Sequence, residues 1–212
     1  MRKPFRNSLF GLAVALLTSV AQSRAAVIVS NLSATANGTS TIYASGPPQE
    51  YAQEFLTGSS SFTLASIVAP IGDATGSFTA SAELVTNNSG QPGTTVLATF
   101  TIPAIPTGTP SDLTFTPNSS VVLSANTDYW FVLSATGTTG DYKWDYTNTN
   151  SPSLPNYAVS QNSGSSWTVN SNGPEIIEVN SVDQVTGAPE PSSVLFLGGI
   201  SLFGFVISRR SR

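Results

Sequence analysis

From Val27 to Ser181 the chain alternates apolar and polar residues in short stretches, each closed by Gly, Pro, Asn or Asp. Alternation at period two places successive side chains on opposite faces of an extended strand. The pattern predicts strands at Val27–Leu32, Tyr51–Thr57, Phe62–Ala69, Ser77–Thr86, Thr95–Ile102, Asp112–Thr116, Val121–Leu123, Asp128–Ala135, Tyr142–Thr147, Tyr157–Ser160, Ser166–Asn170 and Ile176–Ser181. Asn87-Asn88-Ser89-Gly90-Gln91-Pro92-Gly93 is a dense turn signal, and Thr136–Gly140 is a second. No repeat of solenoid length and no helix-period stretch occurs between the two ends. Many short strands separated by turns predict an all-β domain, a single β-sandwich.

The expected core is Phe55, Phe62, Leu64, Ile67, Leu84, Val96, Phe100, Leu113, Phe115, Leu123, Trp130, Val132, Trp144 and Trp167. Tyr129-Trp130-Phe131-Val132-Leu133 is continuously apolar, which predicts a central strand buried on both faces. Pro103 to Pro110 is expected to form a blunt edge or a crossover, since proline withholds an N–H from a sheet ladder.

The ends depart from this pattern. Met1 to Asn7 is basic, Leu9 to Val20 is apolar, and Ser23-Arg24-Ala25 places small residues at the −3 and −1 positions of a cleavage site. This order reads as a secretory signal peptide over 1–25, cut after Ala25, with Ala21 as the neighbouring alternative. Residues 26–183 are then one domain, and 184–212 a separate terminal segment. In that segment Pro189-Glu190-Pro191 precedes the uncharged run Val194 to Ile207, and Arg209, Arg210 and Arg212 close the chain. A helix over 194–207 would be about 21 Å long, short of the ~30 Å hydrocarbon core. The arginines would hold its end on the cytoplasmic side as a membrane stop.

Charge divides the chain the same way. The net charge is −4, from 8 basic and 12 acidic residues. Residues 1–25 carry +4, residues 26–187 carry −10 with Lys143 their single cation, and residues 188–212 carry +2. The sequence has no Cys and no His, which excludes a disulfide framework, thiolate or imidazole catalysis, and Cys- or His-ligated metal. Charged residues are 9% of the chain, against about 25% in typical domains. One Lys in so acidic a body excludes a phosphate-binding surface and hence nucleic acid.

The three ordered features of the tail resemble a PEP-CTERM sorting signal. Such tails also go by the name ice-binding protein C-terminal domain, a label that concerns the tail and is no evidence of ice binding. The resemblance implies that Pro189, Glu190 and Pro191 are recognised by an exosortase, a membrane cysteine protease–transpeptidase of exopolysaccharide-producing bacteria. It implies an exported protein tethered transiently to the inner membrane, then delivered to the cell surface or extracellular matrix.

The body carries a second resemblance. Its pieces are Ala52-Gln53-Glu54-Phe55 before Phe62-Thr63-Leu64-Ala65-Ser66-Ile67, then Glu83-Leu84 and Gly90-Gln91-Pro92-Gly93 before Leu97. They continue with Phe115-Thr116-Pro117, the stretch Val122 to Leu133 containing Asn126-Thr127-Asp128-Tyr129-Trp130, then Trp144 and Gly164-Ser165-Ser166-Trp167. Together they resemble the choice-of-anchor R type of bacterial surface domain. The resemblance implies a jelly-roll-like sandwich at the cell surface and no catalytic residue.

Candidate chemistry in the body is sparse. Asp141 with Asp145, and Glu50 with Glu54, would lie about 13 Å apart along a strand, too far for a glycosidase pair. Asp73 and Asp128 are loop-edge candidates for an oxygen-only calcium site, but no calcium-loop spacing is present and no metal is expected. No regular Thr-x-Thr array supports an ice-binding face. Asn31, Asn37, Asn87 and Asn118 sit in Asn-x-Ser/Thr patterns, read as a product of composition. Tyr142, Trp144 and Tyr146 alternate with Lys143 and Asp145, so the three aromatics share one face. That face is either a platform for sugar rings or part of the core, and the charged opposite face favours the core. The expectation is therefore a non-enzymatic exported surface or matrix protein without cofactor. Its partners would be an exosortase and, in the alternative role of carbohydrate-binding module, an extracellular polysaccharide.

Overall fold

The computed structural model describes residues 25–46 and 48–182. The signal segment up to Arg24, the sorting motif 189–191, the apolar run 194–207 and the terminal arginines lie outside the described residues. The body consists of antiparallel strands: β1 (Ala25–Ser30), β2 (Gly38–Tyr43), β3 (Glu50–Leu56), β4 (Phe62–Asn87), β5 (Pro92–Thr101), β6 (Ser111–Pro117), β7 (Val122–Leu123), β8 (Asp128–Tyr146), β9 (Tyr157–Ser160), β10 (Thr168–Asn170) and β11 (Glu178–Val182). They pair in the order β1-β11-β4-β8-β3-β9-β10, while β2 joins β8, and β5, β6 and β7 join β4. The result is an all-β, antiparallel, largely open sheet.

Two strands organise it. The stretches expected as Phe62–Ala69 and Ser77–Thr86 form the single 26-residue β4, and Asp128–Ala135 with Tyr142–Thr147 form the 19-residue β8. The glycine-rich stretches between them are bulges in paired strands, where turns had been expected. From Ser77↔Thr139 to Thr79↔Thr136, two steps of β4 are matched by three of β8. From Gly72↔Lys143 to Thr75↔Asp141, three steps of β4 are matched by two of β8. Each extra residue turns the chain over, so the core-facing set changes parity. In β8 the core takes Tyr129, Phe131, Leu133 and Ala135 before the bulge, and Tyr142 and Trp144 after it. In β4 it takes Ala82 and Leu84 on one side of the bulge, and Ile67, Ala69 and Ile71 on the other. Gly76 and Gly140 face each other between the bulges at φ +66° and +109°, and a Cβ on Gly76 would meet the Gly140 Cα at 2.6 Å. Only glycine accepts both the dihedral and the approach.

The Pro-rich stretch 103–110 completes the β4 bulge. Asp73 N donates to Gly108 O at 2.6 Å and Ala74 N to Pro106 O at 3.0 Å. These amides would otherwise be left without partners where the ladder breaks.

The main core draws on Val29, Ile42, Phe55, Phe62, Phe100, Phe115, Leu123, Phe131, Trp144 and Val179, hence on strands from one end of the chain to the other. Phe131 is its hub, with Phe100, Phe115 and Trp144 in edge-to-face contact at 5.3, 5.4 and 5.8 Å. A smaller cluster of Ala52, Val85, Trp130, Val132 and Ala158, with Trp167 against it, lies on the other face of β8. The apolar run Tyr129–Leu133 is therefore buried on both faces, between β4 and β3. Three expected core residues differ. Val96 is 46% exposed because β5 advances two residues, Val96 to Ala98, against one on β4, and the extra Leu97 turns Val96 outward. Leu113 and Trp167 are only partly buried. β2 was not expected at all.

Candidate functional site

A cleft of about 380 Å³ opens where β2, β3, the end of β8 and β9 meet, lined by Thr39, Ser40, Tyr51, Tyr146, Asn148, Tyr157, Asn172 and Gly173. Each aromatic is placed by register. Tyr51 and Gln53 share a face of β3, and Tyr157 of β9 lies directly opposite Gln53. Tyr146 pairs with Gly38, the first residue of β2. A Cβ at Gly38 would meet the Tyr146 hydroxyl at 2.6 Å, so this glycine lets the ring lie across the strand.

Behind the cleft runs the segment Glu175–Ile177. Asn31 grips it twice: its Nδ2 donates to Glu175 O at 3.2 Å and its Oδ1 accepts from Ile177 N at 2.7 Å. Gln53, fully buried, accepts from Glu175 N at 2.7 Å through Oε1. Trp144 Nε1 donates to Ile176 O at 2.9 Å. The Glu175 side chain is itself fully buried. Its Oε1 accepts from Ser40 Oγ at 2.6 Å, and its Oε2 has no hydrogen-bond partner. Burial pushes this carboxyl well above the usual carboxylate range, the Ser40 hydrogen bond works against that, and the Asp145 charge adds to it. Burial, with the nearby Glu175 charge, also raises the Tyr51 and Tyr157 phenols.

A larger hollow of about 580 Å³ lies beside Thr86, Asn87, Asp128 and Tyr129. Of its lining, Asn87 is held by the protein itself, its Oδ1 accepting from Trp130 Nε1 and from Gly90 N. The distinctive Asn126-Thr127-Asp128-Tyr129-Trp130 stretch at its rim is structural. Asn126 holds φ +49°, Thr127 N donates to Thr57 Oγ1 at 2.8 Å, and Tyr129 Oη accepts from Ser124 N at 3.0 Å.

The residues singled out in the sequence scatter. Tyr142 and Trp144 are 1% and 0% exposed, so neither offers a face to a ligand, and the platform expected at Tyr142, Trp144 and Tyr146 does not exist as such. Only Tyr146 reaches a cleft. The physical reason is that β2 and Glu175–Ile177 cover this end of β8. Asp73 forms an ion pair with Lys143 at 3.2 Å, and Asp141 accepts from Thr75 Oγ1 at 2.7 Å. Glu54 accepts from Asn156 Nδ2 at 2.6 Å. Among the described residues no group of three Asp or Glu side chains is gathered for a metal. Ser40, Tyr51, Tyr157 and Glu175 were not singled out. Glu175 carried a faint signal as an acid ahead of the apolar pair Ile176-Ile177.

Residues 188–210 match the PEP-CTERM protein-sorting motif. That motif implies an exported protein processed by an exosortase. No curated protein and no solved structure matches the chain.

Proposed function

We propose that this chain is a non-enzymatic protein of the cell surface or extracellular matrix, delivered there by exosortase processing at Pro189-Glu190-Pro191. The observation that carries the reading is the sorting motif at 188–210 behind an all-β body. A non-catalytic role is supported by how the acids are used. Glu54, Asp73, Asp141 and Glu175 are each engaged by a different partner, and the sequence offers no thiol or imidazole to work with them. For the body we put forward a jelly-roll-like sandwich of the choice-of-anchor R type. The support is a core shared by strands from β1 to β11, and the bulges that let β4 and β8 turn over.

The test is to follow a body epitope in cells with and without their exosortase. The expected result is surface or matrix delivery in the first and accumulation at the inner membrane in the second. Equal delivery in both would refute the sorting role. A second reading, binding to the surface polymer, is favoured by one observation, the tyrosine-lined cleft.

A further inference from the structure

We propose that the cleft between Tyr51, Tyr146 and Tyr157 binds a neutral, hydroxyl-rich glycan chain. The inference rests on the polymer-binding reading and names its site and ligand class; it is independent of sorting. The volume of about 380 Å³ falls in the ~300–1,000 Å³ range of small-ligand sites. Three half-buried phenols supply flat apolar faces for the C–H side of sugar rings, with hydroxyls at their tips. Asn148 and Asn172, both exposed, bring amides that donate and accept together, as sugar hydroxyls require.

The wall behind the cleft is polar as well. Glu175, fully buried behind Ser40, keeps Oε2 without a partner. Its other oxygen is taken by Ser40, which itself lines the cleft, and its charge is felt by Tyr51 and Tyr157. Glu175 is closed to solvent and does not itself line the cleft, so what this wall offers a ligand is the Ser40 hydroxyl, fixed in place by the carboxyl. Neutrality follows from charge. The cleft lining contains no cation, and the body carries −10, so an anionic polymer would be repelled.

The experiment uses the full chain in detergent micelles. Binding is measured to cellohexaose, laminarihexaose, mannohexaose and chitohexaose, with an alginate hexamer as anionic comparator. Retention on exopolysaccharide purified from the producing cells is measured alongside. At least one neutral hexasaccharide is expected to bind, with Tyr157→Ala and Asn172→Ala each weakening it at least tenfold and Tyr43→Ala, outside the cleft, leaving it unchanged. Asn172 lies on an exposed loop, so its variant keeps the test open if Tyr157→Ala does not fold. Variants that bind as the wild type does would overturn the site while leaving polymer binding to another surface. A wild type that binds alginate alone, or no hexasaccharide, would overturn the proposal, and absent polymer retention would also remove the reading beneath it.

Discussion

Ser40 Oγ donates to Glu175 Oε1 at 2.6 Å, across 135 positions of sequence, at a site closed to solvent. One carboxyl oxygen is thereby held and the other left alone, a costly arrangement for a charge. Burial raises this group's pKa on folding, so over the pH range above its ordinary value the folded chain holds the proton more firmly than the unfolded one. Stability is therefore greatest at or below the ordinary carboxylate pKa and falls as pH rises toward the folded value. Glu175→Gln keeps the shape and removes the ionisation. We expect it to raise the melting temperature at pH 8 by about 2–8 °C, from about 1–2 kcal/mol, and to change it little at pH 4. Thermal scans of both proteins across that range check this; a lower melting temperature at pH 8 would mean that the buried carboxylate is needed in its charged form.

Trp144 is the second test of the site's architecture. It is fully buried, edge-on to Phe131, and bonded to Ile176 O. Trp144→Ala should cost about 3–5 kcal/mol, enough to unfold much of the population. Tyr146→Ala, at the half-exposed cleft wall, should leave the fold intact. Urea unfolding of the pair separates them, and a stable Trp144→Ala protein would contradict the placement of this ring in the core.

The bulge in β8 makes a sharper prediction. Deleting Gly137 removes the extra residue between Thr136 and Thr139 and would turn Tyr142 and Trp144 to the opposite face. The deletion should abolish soluble folded protein, whereas inserting a residue in the exposed turn at Ser89-Gly90 should be tolerated. Soluble yield and circular dichroism measure the difference, and equal yields would mean that the register does not depend on this residue.

These bulges also mark where sequence reading ran out. Alternation, and the apolar run Tyr129–Leu133, located both halves of β4 and of β8. It could not join them, since Asp73 and Gly137 resemble turn residues whether the chain reverses or only turns over. Trp144 was legible as a core residue from the charges on either side of it. Gly38–Tyr43 went unseen because its small hydroxylated residues look like a loop, and only pairing with β8 makes them a strand. The cleft was hidden for the same reason. Ser40, Tyr51, Tyr157 and Glu175 meet through strand register between distant segments, and no local spacing encodes that.

Ala25 pairs with Val182, and Ser181 Oγ donates to Ala26 O at 3.3 Å, so the first and last strands of the body begin and end side by side. Cleavage after Ala25 would leave β1 almost whole. Removing Ala26–Ser30 would strip β11 of one partner and expose its backbone as a new sheet edge. We expect such a protein to aggregate or be degraded during export, read as a severalfold loss of the exported form on immunoblots. Undiminished export would show that β1 is dispensable for the fold.

The most direct test of the whole account is the intact mass of the exported protein, compared with that of a variant in which Pro189, Glu190 and Pro191 are all alanine. The account predicts that the wild-type exported form lacks Arg209, Arg210 and Arg212, while the variant keeps them and stays with the inner membrane. Wild-type and variant proteins of matching chain length, recovered from the same compartment, would contradict it.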